Sequence, residues 1–422
     1  MNGKFLWGSA TSSFQIEGGI ENDMTAWEKD GRFRQDGKNP IIGNAVDHWN
    51  RWRDDFKLLN ELGLNSYRFS VEWARLEPEP GRYDQKAADQ YLKMIDTLLD
   101  NNISPMLTLH HFTNPAWLHQ RCPWHTPRAI EAYLRFVEYF VPRISDRVPH
   151  IITFNEPLVW LLAAYGDAKF PPGFKDYHLL MDSLYNILTA HREAYDFIKA
   201  ENKDIEIGIA HNFINFKRAP KGTVVDRSIK RLIHYFYNRM IIRAFERDNL
   251  KLHFPLMIDY EKPIDLGNRI DFWGINYYYR LHVKFKLNFK KPFELLSIRR
   301  SSGIGQSDLG WEIYPKGLYK VFRWLDKTGK PLYVTENGIA VEDDEVRVQF
   351  LQSHLDIIKQ AIDEGFDIRG YYYWSLLDNY EWLEGTKARF GLYHVDYNNN
   401  LERTPKPSAA YYRSYIEHSS QK

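Results

Sequence analysis

Eight short runs of β-branched and aromatic residues are spaced along this chain, and helical patterns of about ten to twenty residues separate them. This alternation is typical of a parallel sheet built from βαβ units. Eight strands with intervening helices fit a closed barrel better than an open doubly wound sheet, so we predict an α/β fold, the (β/α)8 or TIM barrel. The predicted strands are Phe5–Thr11, Ser66–Val71, Ser104–His110, Ile151–Asn155, Glu206–Ala210, Asp271–Asn276, Leu332–Thr335 and Gly370–Ser375.

The segments between these strands support the same architecture. Four of the helical patterns are WRDDFKLLNELG, YLKMIDTLLDNN, YLRFVEYFVPRI and VQFLQSHLDIIKQAIDEG, and several end in Gly or Asn, as helix C-termini tend to. No G-x-G-x-x-G motif and no P-loop motif follows a strand, so a nucleotide-binding fold has no support. Because barrels with long loops reach this length as one unit, we predict a single domain over residues 1–422.

Composition excludes several classes of protein. The net charge is +1, so no overall field recruits nucleic acid or an anionic membrane. Cys122 is the only cysteine, and H-x-x-x-H and C-x-x-C motifs are absent, so we expect neither a disulfide nor a metal site, and no cofactor. No run of roughly 18 apolar residues predicts a transmembrane segment, and the first residues do not resemble a signal peptide. We therefore expect a cytoplasmic protein, and the sequence makes no prediction of its oligomeric state.

Polar or ionisable side chains follow most of the predicted strands. In a (β/α)8 barrel the C-terminal strand ends and the loops after them meet at one mouth, where catalytic groups lie. Burying such groups without partners would cost about 1–3 kcal/mol each, so this many at one mouth predicts a polar ligand. They are Gln15, Arg68, His110, His111, Asn155, Glu156, Asn276, Tyr277, Tyr278, Glu336, Asn337 and Trp374.

Two carboxyl groups in this set come from strands that we expect to face each other, Glu156 after the fourth and Glu336 on the seventh. Hydrolysis of an acetal needs one carboxylic acid to protonate the leaving oxygen and one carboxylate to attack or to activate water. These roles require different pKa values. Arg68 and Tyr278 are placed to keep Glu336 ionised, and we expect Glu156, near that charge, to stay protonated. From their spacing alone, the two carboxyl groups fit ordinary ion pairs at strand ends as well as they fit a catalytic pair.

Longer motifs surround these residues and run in order over nearly the whole chain. They are FQIEG at Phe14–Gly18, YRFSVEW at Tyr67–Trp73, TFNEP at Thr153–Pro157, NYY at Asn276–Tyr278, TENG at Thr335–Gly338, WSLLDNYEW at Trp374–Trp382 and RFGL at Arg389–Leu392. In these motifs the chain resembles glycoside hydrolase family 1, the β-glucosidase and β-galactosidase family. The resemblance implies the (β/α)8 fold and a double displacement with net retention at the anomeric carbon.

The resemblance also implies roles for individual residues. Glu156 matches the family's acid/base, Glu336 its nucleophile, and Asn155 the group that holds the sugar 2-hydroxyl. The other matches are Gln15, His111, Glu381 and Trp382 as groups that hold the 3-, 4- and 6-hydroxyls, Trp374 as the platform under the glycone ring, Arg68, Asn276 and Tyr278 as the shell around the nucleophile, and Trp311 as an aromatic side chain at the aglycone entrance.

The chain departs from the family pattern at positions that bear on specificity. Phe112 stands where a Trp is common, and the chain is shorter than many members, which implies trimmed loops and a more open aglycone side. The 6-phosphoglycosidases of the family have Ser at the Glu381 position and add Lys and Tyr downstream, where this chain has Ala388 and Phe390. Because a carboxylate repels a 6-phosphate, an unphosphorylated sugar is favoured.

These observations predict a retaining exo-β-glycosidase that acts on small β-glucosides, with β-galactosides and β-fucosides as further substrates. A transglycosylase that uses the same glycosyl-enzyme stays an alternative, since only the acceptor differs. A sugar-binding pseudoenzyme would be expected to lack a catalytic carboxylate, and both are present. The basic and apolar stretch Arg280–Arg300 is either a solvated loop over the barrel mouth or a surface that meets a membrane or an amphiphilic aglycone.

Overall fold

The computed structural model describes residues 5–34, 38, 40–254, 258–285 and 305–419, together with the backbone of 293–296. The strands within these ranges are β1 (Leu6–Ala10), β2 (Ser66–Ser70), β3 (Ser104–His110), β4 (His150–Asn155), β5 (Glu206–Arg218), β6 (Asn249–Phe254), β7 (Ile258–Pro263), β8 (Phe272–Phe285), β9 (Phe293–Leu296), β10 (Leu332–Asn337), β11 (Ile368–Trp374), β12 (Tyr393–Asp396) and β13 (Glu402–Pro405).

Eight of these strands form a closed parallel barrel, and they are the eight that the sequence predicts. Each of β1, β2, β3, β4, β5, β8, β10 and β11 pairs in parallel with the next, and the pairing of β11 with β1 closes the ring. The strands are buried on both faces, as expected of a parallel sheet covered by helices, and every residue of β10 is buried. The predicted (β/α)8 barrel is therefore confirmed.

Helices lie between the barrel strands and cover the outside of the ring. They are α1 (Ser13–Ile16), α2 (Asp23–Lys29), α3 (His48–Glu61), α4 (Trp73–Leu76), α5 (Gln85–Asp100), α6 (Leu118–Arg121), α7 (Arg128–Phe140), α8 (Pro157–Leu161), α9 (Tyr177–Glu201), α10 (Val224–His234), α11 (Met240–Arg247), α12 (Pro315–Leu325), α13 (Asp344–Asp363) and α14 (Pro407–Ser419). The four quoted helical patterns fall in α3, α5, α7 and α13.

Helix α5 illustrates how the sequence builds this outer layer. The side chain of Asp84 accepts hydrogen bonds from the backbone N–H groups of Lys86 and Ala87 and so caps the helix N-terminus. Its buried residues Tyr91, Met94, Ile95 and Leu98 recur at helical spacing and face the barrel. Most of the apolar core lies in this layer between strands and helices, and a smaller cluster that includes Met106, Ile152 and Phe272 fills the barrel interior.

Two barrel strands extend further than the sequence predicts. Strands β5 and β8 continue past the ring as a parallel pair as far as Arg218 and Val283, and β9 adds an antiparallel strand to the end of β8. Two small antiparallel pairs, β6 with β7 and β12 with β13, were also not predicted. Each lies outside the regular alternation of strands and helices, so the barrel pattern carries no signal for it.

The stretch Arg280–Arg300 is only partly described. Residues 280–285 belong to β8, and the buried Arg280 guanidinium donates to the carboxylate of Glu312. Arg280 is thus held inside the protein and belongs neither to a solvated loop nor to a membrane-facing surface. Residues 286–292 and 297–300 lie outside the described residues. Within the described ranges, no helix is both long and apolar enough to cross a bilayer.

Candidate active site

Glu156 occupies the corner between β4, which ends at Asn155, and α8, which begins at Pro157. Its backbone is left-handed, with φ 44° and ψ 53°, a conformation that costs a non-glycine residue about 1–3 kcal/mol. Proline at the first helical position favours the abrupt start of the helix after this corner. The turn leaves the Glu156 side chain at the barrel mouth with only 6 % of it exposed.

Two amide groups hold one oxygen of the Glu156 carboxyl. The Nδ2 atoms of Asn276 and Asn212 donate to Oε1 over 2.7 and 3.0 Å. Because Oε1 accepts both bonds, the proton of the neutral acid belongs on Oε2. Burial raises the pKa of Glu156 to about 8, the negative charge of Glu336 adds to the rise, and the two amides oppose it. At neutral pH the group is therefore mostly a carboxylic acid.

Glu336, on β10, has the partners of a carboxylate. The Arg68 guanidinium donates to Oε1 and the Tyr278 hydroxyl donates to Oε2, each over 2.6 Å. Burial raises the pKa of Glu336 above its usual range, and Arg68 and Tyr278 oppose that rise. Since Glu336 has a buried cation beside it and Glu156 accepts from two neutral amides, the proton that the two carboxyls share resides on Glu156.

The strand register explains why these groups meet. Asn276 on β8 is paired with Asn212 on β5 and with Glu336 on β10, so the three side chains start from one level of the barrel. A glycine completes the arrangement after the nucleophile candidate, because a Cβ on Gly338 would lie 1.8 Å from the carbonyl oxygen of Trp374. The chain that leaves β10 thus passes directly against the end of β11.

The hydrogen bonds around His111 determine its tautomer. Asn155 Oδ1 accepts from the Arg68 guanidinium over 2.7 Å, so the amide nitrogen of Asn155 faces His111 Nε2 at 3.1 Å. The imidazole therefore accepts at Nε2 and carries its proton on Nδ1. Burial and the charge of Arg68 keep the pKa of His111 well below its usual value, so the ring stays neutral. Among the described residues Nδ1 has no hydrogen-bond partner, and the atom itself is buried.

Glu381 and aromatic rings form another wall of the site. Gln15 Nε2 donates to Glu381 Oε2 over 2.9 Å, and burial together with the charge of Glu336 raises the pKa of Glu381 to about 8. The rings of Trp374 and Trp382 lie nearly parallel to the His111 ring, with centroid distances of 5.9 and 6.4 Å. Flat apolar faces beside donors and acceptors suit a sugar ring.

One cavity of about 170 Å³ joins these groups. It is smaller than the roughly 300–1,000 Å³ of sites for drug-sized ligands, so it accommodates a small polar molecule. Ten of the twelve predicted site residues line it, and the other two, Arg68 and Asn276, contact the carboxyl groups from the barrel interior. The ten are Gln15, His111, Asn155, Glu156, Tyr278, Trp311, Glu336, Trp374, Glu381 and Trp382.

Six further residues line the cavity: Phe112, Val159, Asn212, Tyr237, Tyr279 and Phe390. The sequence had marked Phe112 and Phe390 as positions that bear on specificity, and it gave the other four no role. Asn212 comes just after the fifth predicted strand, the one strand to which no site residue had been assigned. A search for a polar residue at the end of that strand would have found it. Tyr237 donates from its hydroxyl to Asn212 Oδ1 over 2.9 Å and so aims the Asn212 amide nitrogen at Glu156. Nothing in the sequence pattern indicates this contact.

The composition of the cavity also bears on cofactors. Across the described part of the chain, no three His, Cys, Asp or Glu side chains are grouped so that they could hold a metal ion. The carboxyl groups of Glu156, Glu336 and Glu381 are engaged with amides, a guanidinium and a phenol.

Comparison with known proteins identifies the family. The family model described as glycosyl hydrolase family 1 matches residues 1–421. The chain belongs to glycosyl hydrolase family 1. A 1,4-beta-D-glucan glucohydrolase of Thermotoga neapolitana is 34 % identical, over 98 % of this chain and 97 % of that protein. The family 1 assignment agrees with the resemblance drawn from the sequence motifs, which is thereby confirmed.

Solved structures of family 1 members share the barrel. A beta-glycosidase from Pyrococcus horikoshii is 36 % identical and superimposes with a TM-score of 0.88, covering 97 % of this chain and 93 % of that one. The beta-glucosidase from Thermotoga maritima in complex with glucoimidazole is 30 % identical with the same TM-score, covering 99 % and 98 %. This family 1 chain is therefore a β-glucosidase-type O-glycosyl hydrolase.

Proposed function

We propose that the chain is a retaining exo-β-glycosidase that removes terminal, unphosphorylated β-D-glucosyl groups, with β-galactosides and β-fucosides as further substrates. The observation that carries this proposal is the contrast between the two carboxyl groups. Glu336 is paired with the Arg68 guanidinium, whereas Glu156 has a pKa of about 8 and a proton on Oε2. A nucleophile that is ionised beside an acid that is neutral is the starting state of a double displacement.

In the first step, a Glu336 oxygen attacks the anomeric carbon and the bond to the aglycone oxygen breaks. Glu156 transfers its Oε2 proton to that oxygen, so the aglycone leaves as a neutral alcohol and Glu156 becomes a carboxylate. The sugar is then esterified to Glu336. As Glu336 loses its charge, the main electrostatic cause of the high Glu156 pKa other than burial disappears, which suits Glu156 to act as a base next.

In the second step, the Glu156 carboxylate takes a proton from a water molecule, whose oxygen attacks the anomeric carbon and displaces Glu336. Two inversions give net retention. A sugar hydroxyl in place of water would give transglycosylation through the same ester. The amides of Asn212 and Asn276 donate to Oε1 throughout, and they stabilise the carboxylate form that must persist between the two steps.

The cavity walls support this substrate class. His111 and Glu381 bring polar groups to the cavity wall, and the indole of Trp374 offers an apolar face for one pyranose ring. The positions where 6-phosphoglycosidases have phosphate-binding residues hold Ala388 and Phe390, which are buried and apolar. Neither side chain offers a cation or a hydroxyl group to a 6-phosphate, which supports an unphosphorylated sugar.

The test is proton NMR of the anomeric signal during hydrolysis of p-nitrophenyl β-glucoside, with Glu336→Ala as the control. We expect β-glucose to appear first and mutarotation to produce the α-anomer later, while the control releases no glucose. Early α-glucose would show inversion and would remove Glu336 from the nucleophile role. Full activity of Glu336→Ala would have the same effect.

A further inference from the structure

A second cavity lies on the flank of the barrel, between the α10–α11 segment and the end of α12. Its volume is about 380 Å³, and it shares no lining residue with the active-site cavity. No carboxylate appears among the described residues that line it, which are His234, Tyr235, Arg239, Arg243, Trp324 and Lys327. A cavity with cations and an indole but no acid in its wall is suited to an anion.

The chain reaches this cavity through an irregular helical turn. Between α10 and α11, residues 235–239 form one turn of π-helix, a feature that occurs frequently at functional sites. Asn238 ties the turn to β5, since its Oδ1 accepts from the Ile214 N–H over 3.0 Å and its Nδ2 donates to the Ile214 carbonyl over 2.9 Å. The turn sends Tyr237 towards Asn212 in the active site and Arg239 into the flank cavity.

The same contacts decide the protonation of His234. Because the Ile214 N–H fixes the Asn238 oxygen, the Asn238 amide nitrogen is the atom that donates to His234 Nδ1, over 2.9 Å. The His234 proton is therefore on Nε2, and the ring offers a donor there. Burial and the charges of Lys230 and Arg239 lower the pKa of His234 to about 4, so the ring is neutral at physiological pH.

The charged groups of the cavity are not balanced. Arg243 is paired with Glu246 at 2.7 Å, but Arg239 and Lys327 have no ion pair with any residue in the described ranges. Burial and the neighbouring Arg243 lower the pKa of Arg239, while Glu246 opposes the shift. Keeping the guanidinium charged at this position therefore costs free energy. Three cations against one carboxylate leave two positive charges, which match the charge of a phosphate monoester.

We propose that the flank cavity binds a small phosphate monoester, with the phosphate held by Arg239, Arg243 and Lys327 and the organic part packed on Trp324. Arginine matches phosphate oxygens with paired N–H groups, and the His234 Nε2–H adds a neutral donor. The volume exceeds what a phosphate group alone needs, which leaves space for a ring against the indole. The site is separate from the hydrolytic cavity and does not depend on the proposed reaction.

The test is isothermal titration calorimetry of the full chain with phenyl phosphate at constant ionic strength. Inorganic phosphate and benzoate are the comparison probes. We expect one saturable site for phenyl phosphate and at least about tenfold weaker binding of benzoate, which has one charge. We also expect weaker binding of inorganic phosphate, which lacks the ring. Equal affinity of benzoate would overturn the phosphate assignment, and equal affinity of inorganic phosphate would overturn the role of Trp324.

Matched variants separate this site from general attraction to a basic surface. Arg239→Gln should weaken phenyl phosphate at least about tenfold, whereas Arg231→Gln, at an exposed arginine of α10 outside the cavity, should bind it like the wild type. Both variants should hydrolyse p-nitrophenyl β-glucoside normally, which shows that they fold. Lys327→Gln repeats the test if Arg239→Gln does not fold. No saturable heat with the wild type, or unchanged affinity in the cavity variants, would overturn the proposal.

Discussion

Asn212 donates from Nδ2 to Oε1 of Glu156 over 3.0 Å, and this amide is itself oriented by the Tyr237 hydroxyl. With Asn276 on the same oxygen, the acid has one oxygen that only accepts and one that carries the proton. The direction in which the proton leaves is thus set before substrate arrives. Such preorganisation avoids a reorganisation cost at the moment of reaction.

Removing the proton donor tests the acid role of Glu156. We expect Glu156→Gln to lower kcat/KM for alkyl β-glucosides by about 10²–10⁴, because their leaving oxygen needs a proton. The first step with 2,4-dinitrophenyl β-glucoside should be nearly unaffected, since that phenolate leaves without one. Pre-steady-state release of dinitrophenol measures this step. An equal loss with both substrates would argue against general-acid catalysis by Glu156.

Removing the phenol beside the nucleophile tests the role of Tyr278. Its hydroxyl hydrogen-bonds Glu336 and opposes the rise of the Glu336 pKa. In Tyr278→Phe that pKa should rise further, so the acidic limb of the kcat/KM profile should move to higher pH. Activity at the optimum should fall by about 10- to 150-fold, the value of a hydrogen bond to a charged group. An acidic limb at its wild-type position would remove Tyr278 from this role.

The amide beside the acid should control the basic limb. Glu156 must be protonated in the free enzyme, so kcat/KM should fall as pH rises through about 8. The Asn212 amide favours the ionised form, so Asn212→Ala should raise the pKa of Glu156 and move the basic limb to higher pH. Tyr237→Phe should move it in the same direction by a smaller amount. The control is Tyr279→Phe, which lines the same cavity and makes no hydrogen bond to Asn212 among the described contacts. A matching shift in that variant would contradict the assignment.

Stability should depend on pH through the same residue. The folded pKa of Glu156 is raised above that of the unfolded chain, so its contribution is fully present below the unfolded pKa and is lost as pH rises towards about 8. Glu156→Gln removes the titration. The Tm of this variant should therefore exceed that of the wild type by more at pH 8 than at pH 5, measured by calorimetry. A Tm difference that is independent of pH would show that Glu156 does not titrate on unfolding in this window.

The fold and the two carboxyl groups were predictable because they depend on local patterns. Each barrel strand is a short apolar run between helical patterns, and Glu156 and Glu336 follow such runs inside recognisable motifs. Register then carries them to one level, since a parallel barrel brings all its strand ends to one mouth. The ends of the strands differ from the prediction: β10 continues two residues past Thr335, and β5 and β8 continue beyond the ring.

The residues that sequence reasoning missed depend on partners that are distant in the chain. Asn212 lies in β5 beyond its predicted end, and the strand continues there because β8 pairs with it outside the ring. Tyr237, which donates to Asn212, lies in the π turn, where the helix holds one more residue than a regular turn. The helical period of the sequence does not record such an insertion. The tautomer of His111 likewise depends on Arg68 acting through Asn155.

At Glu156 the left-handed backbone favours glycine, whereas the proposed chemistry needs a carboxyl group at the same position. Glycine adopts that conformation without the penalty of about 1–3 kcal/mol, and its own entropic cost is only about 0.5–1 kcal/mol. Glycine would also remove a buried acid. The Glu156→Gly protein would be relieved of the strained backbone and of the buried acid, but the amides of Asn212 and Asn276 would lose their acceptor, at a cost of about 1–3 kcal/mol for each unsatisfied donor. The backbone at this corner therefore favours glycine, whereas the hydrogen bonds and the proposed acid chemistry both need the glutamate side chain.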